Sequence, residues 1–217
     1  MRTVRIKVCG ITREENLKIA VSAGVEAIGF IVGVPSSPRN LTVEEVKRLM
    51  HKIPIFIDRV AVLVLDDIDQ SIEICETLHP SAIQVHGGSP SLVARFHREM
   101  EGIPMIRAVD AKSGDATNNA QEAARLFDAV LLDSLNEKKL GGTGSVHDWN
   151  VSRDIAEMIQ PKPLILAGGL TPENVKEAVS IVKPYAVDVS SGIEASPGVK
   201  DPRKIIEFVE RAKEVSL

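Results

Sequence analysis

The sequence predicts an α/β chain folded as a single (β/α)8 TIM barrel, one domain over residues 1–217. Three observations predict it. Short runs rich in Val, Ile and Ala alternate with amphipathic stretches from one end of the chain to the other, the pattern of βαβ units around a parallel sheet buried on both faces. Eight such strand–helix pairs can be read, the number a closed barrel needs. No linker, low-complexity run or charge block divides the 217 residues, a length at the small end for that barrel. An open doubly wound sheet is the alternative, but it seldom needs eight regular units.

The elements follow in order. Val4–Cys9 reads as a strand and Arg13–Ala23 as a helix ending at Gly24, a residue suited to the left-handed stop. Ala27–Val32 is a strand and Val43–His51 a helix; Arg59–Leu65 is a strand and Ile68–Leu78 a helix. Ala82–Val85 precedes a helix at Pro90–Met100, and Met105–Val109 precedes one at Thr117–Phe127. Ala129–Leu132 leads through a glycine-rich loop to Val151–Ile159. Leu164–Ala167 leads to a helix at Pro172–Val182, with Thr171 as its cap and Pro172 in the first helical position. Ala186–Val189 and Pro202–Val215 complete the series.

Composition narrows the function. The chain is 44% hydrophobic and 26% charged, with net charge -4; it lacks the basic footprint of a nucleic-acid partner. No apolar run approaches the roughly 18 residues of a membrane span, and no apolar signal region follows the first Met. The two cysteines, Cys9 and Cys75, form neither a disulfide framework nor a zinc spacing, which suits a reducing, cytoplasmic compartment. The five histidines show no metal-binding spacing, so no metal is expected.

In a (β/α)8 barrel the active site lies at the C-terminal ends of the strands. There the sequence places Cys9-Gly10, the loop Pro35–Arg39, Gln84–Gly87, Asp133, Gly141–Gly144, Gly168-Gly169 and Asp188–Gly192. Glycines after strands 7 and 8 let backbone N–H groups approach an anion, and phosphate sites in this fold often use those loops. A phosphorylated small molecule is the expected ligand. Cys9 reads either as a small buried hydrophobe or, from its strand-end position, as a reactive thiol. Asp133 is open to capping its loop or to acting as a general acid if burial raises its pKa. Arg39 is either a solvated charge or a fork for a carboxylate. His86 reads first as a structural histidine, and Cys75, among Ile72, Ile74 and Leu78, as core.

Lys7–Thr12 resembles the opening strand of the phosphoribosylanthranilate isomerase family. So do Gly29-Phe30, Gln84–Gly87, Leu131–Ser134, Gly141–Gly144 with Asp148-Trp149, Leu166–Val175 and Ala186–Glu194, all collinear. The resemblance implies the Amadori rearrangement of N-(5-phosphoribosyl)anthranilate in tryptophan biosynthesis, without a cofactor. It implies Cys9 as general base and Asp133 as general acid. Arg39 would meet the anthranilate carboxylate, Asp188 the ribose, and Gln84 and His86 would line the cleft. Gly142, Gly168, Gly169, Ser191 and Gly192 would hold the phosphate. A monomer or homodimer with no nucleic-acid or membrane partner is implied. The loop Gly33–Asn40 departs from the family in lacking an aromatic residue before its arginine. A paralogous barrel isomerase and a non-catalytic barrel that binds phosphate metabolites are the alternatives. Cys9 separates the chain from the histidine-pathway ribosylamine isomerase, which resembles it in chemistry but uses an aspartate as the base at strand 1.

Overall fold

The computed structural model describes residues 3–134 and 148–217. Eight parallel strands form the barrel: β1 (Arg5–Cys9), β2 (Ala27–Val32), β3 (Asp58–Val64), β4 (Ala82–His86), β5 (Met105–Asp110), β6 (Ala129–Asp133), β7 (Leu164–Leu166) and β8 (Ala186–Val189). Each pairs with its sequence neighbour, and β1 pairs with both β2 and β8, which closes the ring. The helices are α1 (Glu14–Ala23), α2 (Val43–Met50), α3 (Ile68–Leu78), α4 (Pro90–Glu99), α5 (Ala116–Leu126), α6 (Trp149–Met158), α7 (Val175–Val182) and α8 (Pro202–Lys213). A hairpin of Glu194–Ser196 with Val199–Lys200 follows β8.

Side chains alternate across each strand, and the packing records which way they point. Ile6 and Val8 of β1, Ile83 and Val85 of β4, Val130 and Leu132 of β6, and Val187 and Val189 of β8 join the large cluster shared with the helices. Their neighbours turn inward. Ala108, Ala129, Leu131, Ile165 and Ala186 form one interior cluster, and Cys9, Val60 and Val62 another. By the same alternation Lys7, Gln84, His86, Asp133 and Asp188 share the interior face. The barrel is therefore a packed core whose polar residues collect toward one end.

Local signals hold most helices in place. Gly24 stops α1 at φ 88. Thr42 and Glu45 form a reciprocal capping box on α2. Ser89 and Asp201 cap α4 and α8, each with proline in the first turn. The expected start of α7 is corrected. Asn174 Oδ1 accepts the Thr171 N–H at 2.8 Å and its amide donates to Gly169 O at 2.9 Å. That winds residues 172–174 into a turn, so the helix begins at Val175 rather than at Pro172.

Candidate active site

Lys7 and Asp188 stand opposite each other in the β1–β8 register. The Lys7 ammonium donates to Asp188 Oδ1 at 2.9 Å, with both side chains buried. Two residues along β1, Cys9 lies on the same face and is 5% exposed. Its register partner in β2 is Gly29. A Cβ on Gly29 would come within 3.0 Å of Cys9 Sγ and 3.1 Å of Lys7 Nζ, so thiol and ammonium share the space that this glycine leaves. Burial pushes the Cys9 thiol up; the Lys7 charge pulls it down, Asp188 pushes it up and Lys200 again pulls it down, with a net rise. Burial also works against the Lys7 charge, but Asp188 and Cys9 outweigh it and hold the ammonium above its ordinary value.

Asp133 ends β6 and faces Asp110 in the β5 register. Burial, then the charge of Asp188, then that of Asp110 push its carboxyl up to about 6, against the pull of Lys7 and of the Ser134 N–H. A carboxyl near 6 holds a proton at the margin of neutrality, as a general acid requires. Asp188 thus acts electrostatically on Cys9 and on Asp133 together.

Arg39 is not a solvated charge: it is 7% exposed. Its Nε and Nη2 donate to Glu194 Oε1 and Oε2, each at 2.7 Å. Lys200 also donates to Glu194 Oε1 at 2.9 Å and to the Ser190 carbonyl at 3.0 Å. The Arg39 stem passes so close over Gly10 that a Cβ there would meet Cδ at 2.6 Å. The hairpin after β8 is thereby tied to the loop after β2 and to the residue following Cys9.

The glycines of the rim let loops interpenetrate. Gly168, at φ 83, lies against Ser134, where a Cβ would overlap the backbone nitrogen and meet Oγ at 2.6 Å. Gly192 lies against the Leu170 carbonyl, which a Cβ would likewise overlap. Gly169 follows at φ 70, and Ser191 opens a 3-10 turn, Ser191–Ile193. Gly142 lies outside the described residues. Gln84 Nε2 and His86 Nε2 are 2.8 Å apart, and Gln84 Oε1 is buried without a hydrogen-bond partner among the described residues. Burial, then Lys7 and Arg107, lower His86 to about 4, so it is neutral at pH 7.

The model of the N-(5′-phosphoribosyl)anthranilate isomerase family matches residues 6–211. The chain belongs to that family. An isomerase of that name from Natronomonas pharaonis is 43% identical over 96% of this chain and 97% of its own length. The corresponding values for one from Methanosarcina mazei are 40%, 96% and 94%. The crystal structure of phosphoribosyl anthranilate isomerase from Thermotoga maritima superposes with a TM-score of 0.87 at 34% identity, covering 98% of this chain and all of that one. A further structure of the isomerase, in complex with reduced 1-(o-carboxyphenylamino)-1-deoxyribulose 5-phosphate, gives 0.83 at 33% identity, with the same coverage.

The structure brings Cys9, Asp133, Asp188, Gln84 and His86 of this isomerase onto one interior face, and Arg39 beside Gly10 at its edge. Sequence reasoning missed three residues. Lys7 carried a signal: a lysine inside an apolar strand, two positions before Cys9, falls on the thiol's face. Glu194 and Lys200 carried none, because Glu194 meets Arg39 across 155 residues of chain. Cys75, fully buried in α3 and pushed up to about 12 by burial, belongs to the core as its neighbours suggested.

Proposed function

We propose that residues 1–217 form one catalytic domain that performs the Amadori rearrangement of N-(5-phosphoribosyl)anthranilate, an isomerisation of tryptophan biosynthesis, with Cys9 as general base and Asp133 as general acid. The observation that carries this is the placement of a strand-end thiol, Cys9, and a strand-end carboxyl, Asp133, on one interior face that also holds the buried Lys7–Asp188 pair, with burial and Asp188 pushing the Asp133 carboxyl up to about 6. Asp133 protonates the furanose ring oxygen as the C1–O bond breaks, and the nitrogen lone pair forms the Schiff base. The Cys9 thiolate then removes the C2 proton, and the electron pair moves to give the enolamine. Tautomerisation yields the ketone, 1-(2-carboxyphenylamino)-1-deoxyribulose 5-phosphate. The nitrogen and its aryl ring spread the developing charge, so the chain's own acid and base suffice.

The phosphate sits against Gly168, Gly169, Ser191 and Gly192, with Gly142 outside the described residues; the left-handed glycines at 168 and 169 support this placement. Arg39 meets the substrate carboxylate with the donors that Glu194 leaves over. Asp188 faces the ribose, and neutral His86 with Gln84 lines the cleft. The enzyme acts in the cytoplasm as a monomer or homodimer. Among the described residues no helix is long and apolar enough to cross a membrane. A second copy would cover Ile55 and Phe56, which are 79% and 93% exposed, and a Thermotoga maritima relative is described as dimeric.

The loss of substrate fluorescence on turnover tests the reading. Cys9→Ser and Asp133→Asn are each expected to lower turnover by about 10²–10⁴-fold or more while circular dichroism and the melting temperature are kept. Near-normal activity in either removes that residue from the mechanism.

A further inference from the structure

We infer that Lys7 is the positioning residue of the site: its ammonium, anchored by Asp188, stands beside the Cys9 thiol and stabilises the thiolate that takes the substrate proton. This rests on the assignment of Cys9 as base. The first observation is the burial of a lysine inside the barrel, where charged side chains are almost never found unless paired. Asp188 satisfies one of its three N–H donors, at 2.9 Å. The second is Gly29, which keeps open the space that Lys7 Nζ and Cys9 Sγ both border. An alanine there would push the two groups apart. The third is the rest of the thiol's surroundings. Val60 and Val62 of β3 form an apolar wall against Cys9, and such a wall disfavours an anion.

Among the described residues the charges acting on Cys9 are Lys7 on its own strand, Asp188 on β8 and Lys200 on the hairpin after β8. Asp188 opposes the thiolate. Lys200 is committed to Glu194 and to the Ser190 carbonyl. Lys7, two residues from Cys9 on the same face, is the cation placed to offset the burial of the sulfur. The same Lys7–Asp188 pair also acts on Asp133, whose carboxyl is pushed toward the protonated form by burial and then by Asp188, while Lys7 opposes the shift. One cross-strand ion pair therefore sets base and acid in opposite senses: its cation favours the deprotonated thiol, and its anion favours the protonated carboxyl.

The test is a direct titration of the Cys9 thiolate by its absorbance near 240 nm. It is made in the Cys75→Ser background, where Cys9 is the remaining cysteine of the chain. Lys7→Met is expected to leave at least tenfold less thiolate at a given pH and to lower kcat at least tenfold with little change in KM. Lys7→Arg is expected to restore most of the thiolate. Lys7→Gln, which keeps an N–H donor for Asp188 and removes the charge, is expected to lose the thiolate as Lys7→Met does, and it decides the matter if Lys7→Met fails to fold. Unchanged titration in a folded Lys7→Met or Lys7→Gln overturns the inference. Full activity in Cys9→Ser would instead overturn the base assignment while leaving the titration shifts in place, so the two failures are distinguishable.

Discussion

Arg39 gives one edge of its guanidinium to one internal carboxylate, with Nε donating to Glu194 Oε1 and Nη2 to Oε2, each at 2.7 Å. The bidentate grip fixes the plane of the group, and in the proposed role the remaining Nη1 donors would take the substrate carboxylate. Arg39→Ala is therefore expected to raise KM about tenfold or more, with kcat less affected, because a carboxylate clamp contributes to binding before chemistry. A loss confined to kcat would contradict that role.

Glu194 is held by two cations, so its removal leaves buried charge uncompensated. Glu194→Ala is expected to lower unfolding free energy by about 3–5 kcal/mol, measured by urea denaturation. Burial pushes the Glu194 carboxyl up, but Arg39 and Lys200 outweigh it and hold it below its ordinary value. A depressed carboxyl contributes stability above its unfolded pKa, about 4.3, and loses it as pH falls through the folded value. The parent should thus lose more stability than Glu194→Gln on going below pH 4. Parallel acid profiles would sink the argument.

The opposed needs of Cys9 and Asp133 shape the pH dependence of kcat/KM. Cys9 must be deprotonated and is raised above its ordinary value, while Asp133 must be protonated and titrates at about 6. Below pH 6 activity rises with pH, because thiolate becomes more frequent. Above pH 6 each gain in thiolate is offset by an equal loss of protonated Asp133, so the profile is flat until the thiol itself titrates. A tenfold rise per pH unit continuing from 6 to 8 would show that Asp133 does not act as the acid.

Gly168→Ala would place a methyl group on the Ser134 backbone at a φ of 83 that alanine resists. Left-handed strain and overpacking together are expected to cost about 2–4 kcal/mol. Since Ser134 follows Asp133, kcat should fall as well. A variant with parent-like melting temperature and kcat would mean that the two loops are free to part.

Much of this was legible in the chain itself. Ala27–Val32 and Ile68–Leu78 occupy the spans that an apolar run and helical spacing predict, because burial on both faces of a strand leaves a near-continuous apolar run and burial of one helix face repeats at helical spacing. The start of α7 was not, because Thr171-Pro172 carries a cap signal that the Asn174 side chain overrides by binding Thr171 itself. Cys9 and Asp133 were legible as strand ends. The Arg39 partner was not, since a lone arginine in a loop does not show which distant carboxylate folds onto it.

The contact between Gly192 and the Leu170 carbonyl has a consequence for how this rim can change. Two loops that occupy each other's side-chain space cannot vary one at a time. A larger residue at 192 is admissible only if the backbone near Leu170 has already moved, and that move opens a void while glycine remains. The loops after β7 and β8 should accordingly be transferable to a related barrel only as a pair, with each single graft worse than either parent.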